Sequence, residues 1–188
     1  VNSINGKVII IPEKVHVEGG DVISSKNNIF IGYYGKEDYS DLLTARTNKE
    51  SIMYFENFFP NKNVKGFHLK KSNTDPLNNI LHLDCCLQLV GKDKAIIYPD
   101  AFTFKKDYLW LQSFFGEENI YEINNKEMCE MNSNILSINH NMIVSDSSFV
   151  RLNNWLESKG FDVEKVSFNE ISKQGGLFRC TSLPLIRN

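Results

Sequence analysis

The chain has 188 residues, the length of one ordinary domain, and its 41% hydrophobic and 23% charged content is that of a globular protein able to bury a core. A formal net charge of -2 gives no electrostatic drive toward nucleic acid or an anionic membrane surface. No apolar run reaches the length of a spanning helix, and no charged-then-apolar leader opens the sequence. The first residue is Val1 rather than Met, and the apolar run Val8-Ile9-Ile10-Ile11 follows almost at once. The expectation is therefore that an N-terminal part of a larger protein precedes it. The four cysteines are Cys85, Cys86, Cys129 and Cys180, two of them adjacent and none in a CxxC pair. That argues against a disulfide framework and a structural zinc site, and for a reducing, cytoplasmic setting.

In chain order, β-branched and aromatic runs predict strands at Lys7–Ile11, His16–Glu18, Val22–Ser24 and Ile29–Tyr33. A helix over Thr47–Phe58 follows, with Ile52, Phe55 and Phe59 spaced for one buried face, then a strand at Val64–Leu69. Strands at Leu81–Val90 and Ala95–Tyr98, a helix at Lys105–Phe115 and a strand at Ile120–Ile123 repeat the pattern. A third copy reads Ile135–Ile138, Met142–Val144, a helix from Phe149 to Ser158, and Val163–Phe168. Ser147 or Ser148 is placed to cap that helix and Gly160 to end it. A last extended run is Leu177–Ile186. A strand–strand–helix–strand unit thus recurs roughly every 45–65 residues, which suggests repeats closing around an axis; a mixed α/β sandwich fits the same pattern. No low-complexity linker divides the chain, so residues 1–188 read as one domain.

Three segments carry candidate chemistry. In Ile80-Leu81-His82-Leu83-Asp84-Cys85-Cys86-Leu87-Gln88-Leu89, strand alternation sets His82, Asp84, Cys86 and Gln88 on the face opposite the leucines. In an enclosed cleft His82 and Asp84 would share a ligand; on an ordinary half-exposed strand they would be a polar outer face. In Val15-His16-Val17-Glu18-Gly19-Gly20-Asp21-Val22 two glycines interrupt a strand pattern, which marks a bend or close backbone approach flanked by Glu18 and Asp21. Read alone, that segment also fits a hairpin turn with solvated acids. In Gly175-Gly176-Leu177-Phe178-Arg179-Cys180-Thr181-Ser182-Leu183-Pro184-Leu185 a cysteine sits among polar neighbours. A lone cysteine is usually a small buried hydrophobe, and Arg179 with the glycine-rich approach does no more than allow a shifted thiol. Together the segments supply a thiol, an imidazole and carboxylates, the composition of a nucleophilic site and equally of a metal site.

Glu18-Gly-Gly-Asp21, His82-Leu-Asp84 and Gly-Gly-x-x-Arg-Cys180-x-Ser-Leu-Pro-Leu, in this order, resemble the guanidino-group-modifying enzymes, the penteins. Within them the chain looks most like dimethylarginine dimethylaminohydrolase and arginine deiminase, and Ala45-Arg46-Thr47-Asn48 resembles their "RTN" segment. The resemblance implies an α/β propeller of repeated ββαβ units around a pseudo-fivefold axis, here lacking the N-terminal units. It implies Cys180 as nucleophile, His82 as general acid/base, and Glu18, Asp84 and Asp21 at the substrate, Asp21 either binding it or bracing the Gly-Gly bend. The expected reaction is hydrolysis of a guanidino C–N bond of arginine or a methylated arginine through a covalent amidino-thiol adduct. No metal or organic cofactor is called for, and the partner is a small-molecule guanidino substrate, with no nucleic acid and no membrane. Unpaired strand edges of a partial propeller would be met by the chain's own N-terminal segment or in a homo-oligomer. An amidinotransferase, a citrulline-directed hydrolase, and a metal-binding or non-catalytic binding module remain as alternatives. His16, His68 and His140 carry no motif and read as surface or locally satisfied histidines.

Overall fold

The repeat is realised as three ββαβ units in the computed structural model, which describes residues 8–25 and 27–183. In the first unit β1 (Val22–Ser24) pairs antiparallel with β2 (Asn28–Tyr33), helix α1 (Glu50–Phe58) crosses over, and β3 (Asn63–His68) pairs parallel with β2. The second has β4 (Leu87–Val90), β5 (Lys94–Ile97), α2 (Lys105–Phe115) and β6 (Ile120–Glu122), with the same pairing. A short helix, α3 (Asn125–Cys129), precedes the third: β7 (Leu136–Ser137), β8 (Met142–Asp146), α4 (Val150–Ser158) and β9 (Asp162–Val166). One turn of helix, α5 (Asn169–Ser172), leads to the Cys180 segment. The parallel step in each sheet requires a crossover connection, which the amphipathic helices supply. The middle strands read as continuous apolar runs because they are covered on both faces: Ile29, Phe30 and Ile31 in β2, Ala95, Ile96 and Ile97 in β5 are all buried.

One core joins the units. Phe30 meets Phe67, Trp110 and Phe114 edge-on, with ring centroids 5.6–6.0 Å apart, so the first unit packs on the α2 helix of the second. Leu111, Leu152, Leu156 and Ile143 carry the core onward into the third unit. Gly116 and Gly160, at φ +79° and +85°, follow α2 and α4 in the left-handed conformation that ends a helix. Among the described residues no helix is long and apolar enough to cross a membrane.

Several expected elements are corrected. Residues 8–11 and 16–18 are not strands; residue 7 lies outside the described residues. Helix α1 begins at Glu50 rather than Thr47, because the Thr47 hydroxyl and the Asn48 side chain are engaged with earlier segments. Leu83–Cys85 is a turn of 3-10 helix, so the expected strand is confined to Leu87–Val90 and its alternation does not reach His82 and Asp84. Residues 178–181 form a turn and none of 177–183 is a strand, and the remainder of the expected run lies outside the described residues. Neither Ser147 nor Ser148 caps α4; the residue before it is Phe149, and Ser148 instead donates its N–H and hydroxyl to Asp146 Oδ1 (2.8 and 2.6 Å).

Candidate active site

The Gly-Gly bend forms the first wall. Residues Gly19–Asp21 make a 3-10 turn entering β1, and this turn packs against the one at Leu83–Cys85. Both glycines of contact are required by space. A Cβ on Gly20 would lie 2.7 Å from the His82 ring, and one on Gly32 would lie 2.7 Å from Asp21 Oδ1.

Asp21 is 1% exposed. Its Oδ2 accepts the Thr47 hydroxyl (2.6 Å) and its Oδ1 accepts the backbone N–H of Leu83 (2.9 Å). Burial pushes the Asp21 carboxyl up, against the lowering effect of Lys71, Thr47, His82 and the Leu83 amide. Thr47 Oγ1 in turn accepts the Glu18 N–H (3.1 Å). The carboxylate therefore spans the bend, the RTN segment and the His82 turn. On the other side of His82, the Lys71 ammonium donates to the carbonyls of Thr44, Ile80 and Leu81 at 2.7–2.8 Å. Three N–H groups meet three acceptors, so the ammonium is fully satisfied. Burial nonetheless pushes it below its ordinary range, with Asp21 opposing.

His82 thus sits between two backbone anchors, Leu81 C=O on Lys71 and Leu83 N–H on Asp21. Its Nε2 lies 2.6 Å from Glu18 Oε2. Burial pushes Glu18 up, but the hydrogen bond and charge of His82, joined by Arg46, overcome this and hold it below its ordinary range. Arg46 Nη1 stands 3.4 and 3.5 Å from the two Glu18 oxygens.

Asp84, 1% exposed, lies on the far side of the same turn. The Cys180 thiol approaches its Oδ2 at 3.8 Å and the Cys85 thiol its Oδ1 at 3.7 Å. Burial pushes Asp84 up, with His82 and Arg179 opposing. Cys180 is solvent-exposed on one side. Burial of its other side and the Asp84 charge push its thiol up, while the Asn134 amide, the Leu177 N–H and Arg179 pull it down. The two buried cysteines differ: Cys85 and Cys86 are pushed far above the ordinary thiol range by desolvation. Residues 178–181 form a turn, and the Arg179 charge reaches both Cys180 and Asp84.

All five sequence-derived candidates thus join into one connected set: Glu18 on His82, Asp21 on the His82–Asp84 turn, and Cys180 on Asp84. Three supporting groups were not singled out from sequence, namely Thr47 as a hydrogen-bonding group, Lys71 and Asn134. Only the RTN pattern carried a trace of the first. His68 lies outside the set, buried and satisfied by Gly35 N–H (3.1 Å) and Thr103 Oγ1 (2.8 Å). Among the described residues no group of three His, Cys, Asp or Glu side chains is arranged to hold a metal ion.

Comparison with known proteins agrees with this architecture. The N-terminal domain of ArgZ, an arginine dihydrolase from the ornithine-ammonia cycle in cyanobacteria, matches with a TM-score of 0.77 at 20% identity, over 96% of this chain and 61% of that one. DDAH from Pseudomonas aeruginosa, complexed with citrulline, matches with a TM-score of 0.67 at 19% identity, over 90% of this chain and 56% of that one. These likenesses show the fold, the pentein α/β propeller. The uncharacterized protein YkgA of Bacillus subtilis (strain 168) is 26% identical over 171 residues, 91% of this chain and 52% of that protein, so the chain spans about half of that relative's length. Residues 35–187 match the family described as N,N dimethylarginine dimethylhydrolase, eukaryotic. The chain belongs to that family, within the guanidino-group-modifying pentein superfamily.

Proposed function

We propose that the protein hydrolyses a guanidino C–N bond of arginine or a methylated arginine, with Cys180 as nucleophile and His82 as proton carrier, giving citrulline and ammonia or an amine. The observation that carries the reading is the assembly of the Glu18–His82 pair and the Asp84–Cys180 contact across one short turn. The family membership and the likeness to an arginine dihydrolase and to a citrulline-bound DDAH support it.

A guanidinium carbon carries delocalised positive charge, and a planar fork of N–H donors is matched by carboxylates. Glu18 and Asp84 provide them; Arg46 Nη1 already stands 3.4–3.5 Å from both Glu18 oxygens, so a guanidinium reaches this carboxylate. In the resting site Asp84 disfavours a sulfur anion at Cys180. A cation bound on Asp84 cancels that repulsion, so the thiolate forms when the substrate arrives. The thiol proton passes to His82, the thiolate adds to the guanidinium carbon, and the C–N bond to the departing nitrogen breaks as His82 returns the proton to it. Water then loses a proton to His82 and attacks the amidino-thiol carbon; the C–S bond breaks, the Cys180 sulfur takes the proton back from His82, and the ureido product leaves.

The test is to incubate the intact protein with arginine and, separately, with dimethylarginine, and to measure intact mass after acid quench. A substrate-dependent adduct and citrulline, both lost in Cys180→Ser, are the expected result. Neither adduct nor citrulline with either substrate would overturn the proposal.

A further inference from the structure

Asn134, in the turn between α3 and β7, is fully buried. The orientation of its carboxamide is fixed by its surroundings. Oδ1 accepts the backbone N–H groups of Leu177 (3.2 Å) and Cys180 (3.1 Å), so the oxygen end must face those two donors. The amino end is thereby turned to the nucleophile, with Nδ2 3.1 Å from Cys180 Sγ. The Asn134 main chain takes part as well, its carbonyl accepting the Arg179 N–H at 3.3 Å. The preceding residue, Ser133, donates its hydroxyl to the Asp84 carbonyl at 3.1 Å, so one dipeptide holds both the acid and the thiol in place.

The groups facing the sulfur are few. Asp84 Oδ2 stands at 3.8 Å, with the Cys85 thiol across the same carboxylate and the Arg179 charge on the Cys180 segment itself. Asp84 opposes a negative sulfur, and the Asn134 amide and Arg179 favour one. A donor as close as 3.1 Å suits an anionic acceptor better than a neutral thiol, because charge-assisted hydrogen bonds are the shorter and stronger ones.

We propose that Asn134 is a further catalytic residue, whose Oδ1 clamps the Cys180 turn while its Nδ2 stabilises the sulfur anion that attacks the substrate. The proposal rests on Cys180 being the nucleophile of the reaction above. It is tested without substrate, by the pH dependence of Cys180 alkylation with iodoacetamide, followed by peptide mass in an intact Cys129→Ser background. Cys129 is the other exposed thiol, and Cys85 and Cys86 are buried and too weakly acidic to compete. Asn134→Asp keeps an oxygen for the two backbone N–H groups and sets an anion, ionised at the alkaline pH of a thiol titration, where the donor stood. The alkylation midpoint of Asn134→Asp is expected to rise by about one pH unit or more, with the fold retained but the melting temperature lowered by the buried carboxylate. Asn134→Ala, which also releases the turn, is expected to raise the midpoint and to lower the melting temperature. A midpoint within about 0.3 unit of the parent in folded Asn134→Asp would overturn the proposal. Should that variant not fold, an unmoved midpoint in Asn134→Ala overturns it instead. Turnover of arginine or dimethylarginine with an unmoved midpoint would sink the role of Asn134 alone. A raised midpoint without turnover would leave the hold on the sulfur intact and sink the hydrolase reading.

Discussion

Asp21 separates two accounts of this site, because a substrate-binding carboxylate and a structural brace fail differently when removed. In Asp21→Ala two donors, Leu83 N–H and the Thr47 hydroxyl, lose their acceptor inside a site where Asp21 itself is 1% exposed. Each buried donor left unpaired costs about 1–3 kcal/mol. The Leu83 N–H is fixed in the 3-10 turn and bears the whole cost, whereas the hydroxyl can rotate and recover part of its own. Lys71 also loses the negative charge that most favours its charged form, and relief of the carboxylate's own desolvation offsets some of this. The net loss is expected to be about 3 kcal/mol, or a fall of about 6–12 °C in Tm for a chain of this size. Asp21→Asn keeps the volume and one acceptor but turns an amino group toward a donor, so about 1–2 kcal/mol is expected. The assay is urea unfolding followed by circular dichroism, with steady-state kinetics on the same preparations. The brace predicts that stability and kcat fall together while KM changes little. A stability loss under about 1 kcal/mol in Asp21→Ala, accompanied by a large rise in KM, would refute this reasoning and return Asp21 to the substrate.

Gly20→Ala should lower kcat/KM by about 10- to 100-fold, since its Cβ would fall 2.7 Å from the His82 ring and displacements of this order are costly in a positioned site; an activity equal to the parent's would contradict the close packing of the bend on His82. Asp146 gives a pH prediction. Burial pushes its carboxyl up, but Ser148 and the Phe168 and Asn169 amides overcome this and hold it below the ordinary 3.8. A depressed carboxyl stabilises the fold above the unfolded value and ceases to do so as pH falls through the folded one. Asp146→Asn should therefore be less stable than the parent by about 1–3 kcal/mol at neutral pH, with the gap closing as the pH falls below 3.8; urea midpoints that differ by the same amount at every pH would count against it.

The ββαβ units were legible because each of their parts is written locally. Apolar runs such as Ile29-Phe30-Ile31 and Ala95-Ile96-Ile97, and the amphipathic Lys105–Phe115, have the period of the element they form. Helix α3 was equally local, with Asn124 accepting Glu127 N–H and Glu127 accepting Asn124 N–H in a capping box, but at five residues it is too short to show a period. The misread segments that carry His82, Asp84 and Cys180 are of another kind. Ile80–Leu89 alternates like a strand, yet Asp21, 62 residues earlier in the chain, draws the Leu83 N–H out of any ladder and closes the turn that carries His82 and Asp84. Leu177–Leu183 also looks extended, yet Asn134 accepts the N–H groups of Leu177 and Cys180 and curls the segment around itself. In both places a buried side-chain acceptor takes backbone donors that a strand would have used. The candidate site is therefore legible in its proposed reacting groups, which must be a particular thiol, imidazole or acid, and illegible in the groups that aim them. A backbone N–H donates to any well-placed oxygen, so the residues that bend the chain into a site leave no pattern in the segments they bend.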